Sequence, residues 1–355
     1  MVNNYMLKVY IQHRGKQWTR TALLGLILWT LPLALLGPSS LPASGAIDTQ
    51  TQTATPMPSR PPYKLPDHMW LARPVSPKAH SNHPDRFYPY GSTGHGQYQV
   101  HHGVEFVNPT GTPVLAVADG TIDFAGQDEL QIWGRHPGYY GSLIILRLDR
   151  SNPESKKPIY VLYEHLSKVD VRTGQHVQQG EKIGAVGSSG VALGPHLHFE
   201  VRVGRNTFSH TRNPELWLKP LPGYGTIAGR IETQVSRPSR WVPRPQKSRL
   251  VEGDVPLQDL QGGPQPQVLV TVRLADQPDR HWREAWTYAD VRQEQLHPDD
   301  VLHENLAMGD IPAGEYIVQA RVNGQLYTRR VKVIEGQITW VSIVAEPTRY
   351  PRTAP

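Results

Sequence analysis

In the stretch Gly194-Pro195-His196-Leu197-His198-Phe199-Glu200-Val201-Arg202-Val203, His196, His198, Glu200 and Arg202 alternate with Leu197, Phe199, Val201 and Val203. That period of two is a β-strand with one apolar and one polar face, so both imidazoles share a face. Two imidazoles on one rigid strand suit a metal site in which one binds the ion and the other stands beside it over a substrate. His101-His102-Gly103-Val104-Glu105-Phe106 supplies a second set. A histidine and a carboxylate four residues apart can converge on one ion where the backbone bends at Gly103. His102-Gly103-Val104-Glu105 also fits a His-x-x-Glu metal motif, but the surrounding sequence has almost no helical periodicity of the kind enzymes with that motif carry. The His-Glu-x-x-His motif is absent, because His303-Glu304-Asn305-Leu306-Ala307 lacks the second histidine.

The elements that must position these residues read as strands and turns. Pro113 to Ala118 predicts a buried strand, Asp119-Gly120 a hairpin turn, and Thr121 to Gly126 the returning strand. Further strands are expected from Ser142 to Leu148 and from Ile159 to Leu166, the latter carrying Tyr163-Glu164-His165-Leu166. The intervening 127–141 segment has no clear period and reads as a loop at the rim of a cleft. Short β pieces punctuated by Gly174, Gly180, Gly184, Gly187 and Gly190 lead into the His196 strand. Asp119 and Asp123 read as turn and surface residues.

Taken in order, these motifs closely resemble the lysostaphin-type zinc metalloendopeptidases. The resemblance covers 91–218 and rests on the His-x-Gly-Val-acid run, the Pro-Val-x-Ala-x-x-Asp-Gly segment, Tyr-x-His-Leu, Gly-x-x-Val-x-x-Gly-x-x-Ile-Gly and Gly-Pro-His-Leu-His-Phe-Glu. It implies a zinc ion held by His101, Glu105 and His198, with the fourth position open, the arrangement of a catalytic rather than a structural zinc. It also implies that His165 and His196 handle the proton of the attacking water and the developing oxyanion. The carboxylate ligand of that family is usually aspartate, and Glu105 stands in its place here. The implied substrate is a peptidoglycan peptide or another extracellular peptide. The alternative is a catalytically inactive relative that binds cell wall or regulates another hydrolase. Retention of His101, His165, His196 and His198 favours the enzyme.

At 355 residues, with 33 prolines and 31 glycines, the chain is long for one compact domain and rich in turns. The expected fold is mostly β: an antiparallel-sheet peptidase domain plus a small C-terminal β-sandwich. Lys8, Arg14, Lys16 and Arg20 precede an apolar run from Thr21 to Leu36, and Ser44-Gly45-Ala46 offers small residues for cleavage. Residues 1–46 therefore read as a signal peptide, implying a secreted or cell-envelope protein that meets a membrane only through this segment if it is left uncleaved. Residues 47–66, rich in Thr, Gln, Pro and Ser, read as a disordered linker. The formal net charge is +6, but subtracting those four early cations from 37 leaves 33 basic against 31 acidic residues, so nucleic-acid binding is dropped. With no cysteine there is no disulfide and no thiolate ligand.

The peptidase domain is assigned to 67–220, the sandwich to 221–346 and a tail to 347–355, with few contacts expected across the boundary. The sandwich reading rests on strands at 225–231, Val268 to Val272, Glu315 to Val322, Gln325 to Ile334 and Ile338 to Val344, the last three forming a meander through Asn323-Gly324 and Glu335-Gly336. With Gly309-Asp310-Ile311-Pro312-Ala313-Gly314-Glu315-Tyr316 it resembles carboxypeptidase regulatory-like domains, which implies adhesion or substrate presentation. Trp282 and Trp286 read as packing residues or as platforms for carbohydrate.

Overall fold

The computed structural model describes residues 69–234, 263–289 and 296–346, all within one compact unit, 56–355. The expected signal peptide, the 47–66 linker, the 347–355 tail and the segment 235–262 of the expected sandwich lie outside the described residues. The regular secondary structure described is nearly all β, mostly antiparallel, and the helical pieces among the described residues are two 3-10 turns, Phe208–His210 and Pro214–Leu216. No described helix is long and apolar enough to cross a membrane.

The N-terminal part contains β1 (Val104–Phe106), β2 (Pro113–Leu115), β3 (Gly120–Gln127), β4 (Ser142–Leu148), β5 (Ile159–Glu164), β6 (Lys168–Val169), β7 (His176–Val177), β8 (Lys182–Ala185), β9 (Leu197–Val203) and β10 (Thr211–Arg212). The main sheet runs β1-β9-β5-β4-β3-β7, and β10 shares with β1 the outer edge of β9. A smaller sheet runs β2-β8-β6. The expected hairpin through Asp119-Gly120 is therefore not formed. β2 pairs with β8 and β3 with β4 and β7, so the chain changes sheets between Leu115 and Gly120. Local turn chemistry could not foresee this, because the partner of β2 lies far along the chain. Asp119 serves the crossing instead: its carboxylate accepts the Gln179 N–H at 2.7 Å and its carbonyl that of Asp149 at 3.2 Å.

β9 departs from its expected pattern in a second way. All seven of its residues are buried, including the fully buried Glu200 and Arg202, so its polar face is covered rather than solvated. The cover is the 127–141 segment. Asp128, itself buried, folds that segment by accepting the N–H of Tyr140 at 2.7 Å and of Gly141 at 3.0 Å, and Arg202 reaches the carbonyl of Trp133 at 2.9 Å.

Downstream lie β11 (Tyr224–Thr233), β12 (Leu269–Leu274), β13 (His281–Trp286), β14 (Leu306–Pro312), β15 (Gly314–Val322), β16 (Gln325–Val333) and β17 (Ile338–Ala345). They form one sheet ordered β14-β11-β17 and another ordered β13-β12-β15-β16, with Ile227, Ile231, Val270, Val272, Val318 and Ile343 in their common apolar core. The Asn323-Gly324 hairpin forms, with Asn323 in the left-handed region that a type I′ turn requires. The meander does not continue: β17 pairs in parallel with β11 rather than with β16, so the Glu335-Gly336 turn carries the chain to the other sheet. Ala228, Tyr288, Leu296, Ala307, Ile338 and Trp340 belong to the same apolar cluster as Val104, Phe199 and Trp217 of the N-terminal part. More crosses the 220 boundary than the sequence suggests, because pattern alone does not say which outward apolar residues are shared.

Candidate metal centre

Three adjacent strands bring the predicted residues together. Glu105 on β1 is the cross-strand partner of His198 on β9, and β5 on the other side ends one residue before His165. His101 precedes β1 by three residues. The bend between them is Gly103, where an added Cβ would lie 2.5 Å from the Phe199 carbonyl oxygen and 2.7 Å from His198 Nε2. Only a residue without a side chain lets the two strands close here.

His101 Nε2, Glu105 Oε1 and His198 Nδ1 converge: His101 to Glu105 is 2.9 Å, His198 to Glu105 3.0 Å and His101 to His198 3.2 Å. Ligands about 2.0–2.2 Å from a tetrahedral zinc stand roughly 3.3–3.5 Å from one another, so this donor set fits the ion with small relaxation. The tautomer of His101 also fits. Its Nδ1 faces the Tyr88 carbonyl at 2.6 Å, leaving Nε2 as the ligand nitrogen, and the Tyr88 ring stacks on it at 4.0 Å.

His165 and His196 stand beside this trio, their rings 4.9 Å apart. Each directs Nδ1 at a backbone carbonyl, His165 at Ser189 and His196 at Gly194, both at 2.8 Å, which leaves the Nε2 of His165 for chemistry. His165 has a left-handed backbone, φ 59°, a strained conformation of the kind that clusters at functional sites. His196 Nε2 lies 2.8 Å from Glu105 Oε2. The neighbouring His102 is not in the cluster. Its ring stacks on Phe208 at 3.8 Å and its Nδ1 lies 3.4 Å from Thr211 Oγ1.

The protein's own charges separate the two flanking histidines. Burial, aided by His196 and His198, pushes His165 down to about 3, so it is neutral near pH 7. Burial also opposes charge on His196, but the Glu105 carboxylate outweighs it and raises that pKa. Burial acts against ionisation of Glu105 as well, yet His196 and His198 hold it well below the usual carboxylate range.

Sequence reasoning missed the support behind His198. Its Nε2 is 3.4 Å from Glu200 Oε1 and 3.6 Å from Glu164 Oε2. Glu200 is held by Arg202, which donates to Oε2 at 2.8 Å, and by the Tyr140 hydroxyl, which donates to Oε1. Glu200 and Arg202 carried a signal in the sequence, since both occupy the His198 face of an alternating strand. Tyr88, Tyr140 and Asp128 carried none. Trp282 and Trp286 are half-buried; Arg86 lies over the ring of Trp282 and His95 meets Trp286 edge-on.

The profile of peptidase family M23 matches residues 99–210, the segment that holds all five predicted site residues. Over 106 residues the chain is 38% identical to the DD-carboxypeptidase/endopeptidase Mpg of Neisseria meningitidis serogroup B, covering 30% of this chain and 21% of that protein. Over 108 residues it is 34% identical to the peptidoglycan DD-endopeptidase ShyC of Vibrio cholerae, covering 30% of this chain and 21% of that protein. The chain thus matches about a fifth of the length of these curated relatives. The solved catalytic domain of lysostaphin from Staphylococcus simulans is 32% identical, with 38% of this chain and 89% of that one covered at a TM-score of 0.30. Residues 99–210 are thus a peptidase M23 domain of the lysostaphin type.

Proposed function

We propose that this chain is an exported zinc endopeptidase that cleaves peptide bonds in peptidoglycan cross-bridges or stem peptides. The observation that carries the reading is the convergence of His101 Nε2, Glu105 Oε1 and His198 Nδ1 within 3.2 Å, beside two further histidines whose tautomers are fixed by backbone carbonyls. Zinc held by those three residues supplies Lewis-acid polarisation of the scissile carbonyl and makes water more acidic. His165, neutral and with Nε2 available, takes the proton of the attacking water and returns it to the leaving amine. His196, biased toward its charged form by Glu105, donates to the oxygen on which negative charge develops. The names of the Neisseria and Vibrio relatives support the substrate class, and the early apolar segment supports export.

The working division places the peptidase at 67–220 and the two downstream sheets at 221–346 as a carboxypeptidase regulatory-like sandwich serving adhesion or substrate presentation. The test is digestion of purified peptidoglycans of several cross-bridge types with zinc-loaded protein lacking residues 1–46, reading the new termini by mass spectrometry. New amino termini within cross-bridges or stems are expected. Intact peptidoglycan from zinc-loaded protein would overturn the reading in favour of an inactive cell-wall-binding module.

A further inference from the structure

The order β1-β9-β5 sets Glu105, His198 and Glu164 in one row across the sheet, because His198 is the register partner of Glu105 on one side and of Glu164 on the other. Its imidazole consequently has a carboxylate at each end: Glu105 Oε1 lies 3.0 Å from Nδ1 and Glu164 Oε2 lies 3.6 Å from Nε2. The second acid near Nε2, Glu200, is already engaged by Arg202 and Tyr140. Glu164 is not. It is fully buried, and neither of its oxygens has a hydrogen-bond partner. An unpartnered buried carboxyl is a costly choice at a strand position that an apolar residue would fill.

An imidazole that gives one ring nitrogen to a cation keeps its proton on the other, and the acceptor of that proton fixes the ring and strengthens the bond it makes to the ion. We infer that Glu164 is a positioning residue that takes the Nε2–H of His198 and holds Nδ1 toward His101 and Glu105. At 3.6 Å the contact is longer than a formed hydrogen bond, and a turn of the Glu164 carboxyl, whose oxygens are tied to nothing else, closes it. Glu200 Oε1 meets the same Nε2 at 3.4 Å while also accepting from the Tyr140 hydroxyl, so Glu164 acts beside a long, shared contact as the acceptor free to close on the proton. The inference rests on the zinc reading above.

The test compares the full-length protein with Glu164→Met, which removes the acceptor, and Glu164→Gln, which retains a neutral one. Zinc release into excess chelator and the melting temperature in the presence of chelator are both measured. Expected are zinc binding weakened about 10–100-fold in Glu164→Met, a smaller loss in Glu164→Gln, and a melting temperature in chelator that is unchanged or higher in Glu164→Met. Zinc affinity of Glu164→Met within twofold of the parent protein overturns the inference and leaves the zinc reading intact. Failure of the parent protein to bind zinc overturns both. Should Glu164→Met not fold, proton NMR of the zinc-loaded protein decides with Glu164→Gln. The His198 Nε2–H resonance shifts when its acceptor changes from a carboxyl to an amide, and an unmoved resonance overturns the inference.

Discussion

Among the described residues, the buried charges around Glu215 and those around His198 are built differently. Where the N-terminal part meets the downstream sheets, Arg283 donates to both oxygens of Glu215 at 2.9 Å and also to the Gly309 carbonyl, while the Gly309 N–H donates to Glu215 Oε2 at 2.7 Å. Every Glu215 oxygen is engaged, and the cluster spans 94 residues of sequence, from Glu215 to Gly309, although the Arg283 Nε itself has no hydrogen-bond partner. Around His198 the opposite holds. Three ligand atoms crowd together, His165 keeps a ring nitrogen for chemistry, His196 pairs with the second Glu105 oxygen, and Glu164 has no hydrogen-bond partner. Burial of charge is common to both. What separates a structural cluster from a reactive one is whether the buried groups satisfy one another.

The sharpest way to break this comparison is to remove members of the histidine cluster one at a time. His198→Ala should lose zinc and with it all hydrolysis. His165→Ala and His196→Ala should each keep zinc and lose about 10²–10⁴-fold in kcat, the range expected for a missing proton-transfer group. Metal analysis beside turnover measurements separates the classes, and equal zinc loss in all three would show that ligands and proton carriers have been divided wrongly.

At the other cluster the loss should appear in stability instead. Arg283→Met leaves Glu215 buried without its cation, for which about 3–5 kcal/mol of destabilisation is expected in urea unfolding. Zinc affinity of the folded fraction should not change. A loss of zinc in this variant would mean that the two clusters are linked through the shared apolar core rather than independent.

A smaller effect is expected at the residue that departs from the family pattern. Glu105 carries one methylene more than aspartate, and the structure absorbs it while still placing Oε1 2.9 Å from His101. Glu105→Gln removes the charge at nearly constant shape and should weaken zinc at least tenfold in competition with an indicator dye, with Glu105→Asp weakened less. Unchanged affinity in Glu105→Gln would take this carboxylate off the metal.

The smallest effect concerns pH. Burial opposes ionisation of Asp310, but His83 and Arg73 hold its carboxyl down to about 2, against 3.8 ordinarily. A carboxyl depressed in the folded state stabilises above its unfolded value and loses that contribution as pH falls through the folded one. Roughly 2 kcal/mol should therefore disappear between pH 4 and pH 2, and Asp310→Asn should flatten the stability profile in that window. An unchanged profile would show that the Arg73–Asp310 pair gives no net stabilisation.

Much of the site was legible from residue type and period. Alternation placed His196 and His198 on one face, and Gly103 marked the bend that lets His101 and Glu105 act together. In the structure these residues and His165 form one cluster. The hairpin expected at Asp119-Gly120 failed because a turn signal states that the chain reverses and not which strand it then joins. Likewise the Glu335-Gly336 turn was legible, but its delivery of β17 to the parallel side of β11 was not.

What the sequence determined by itself is most of the strands, though not β13 or β14, the side of each that a residue faces, and the donor atoms available to a metal, because these depend on residues a few positions apart. The tertiary structure decided which faces became interior and which residues stand opposite one another. Glu164 and His198 are far apart in the chain and meet only through the register of β5 on β9. The polar face of β9 is buried because Asp128 folds the 127–141 segment over it. Register and cover are set by long-range pairing and by whole-sheet burial, and a period of two carries information about neither.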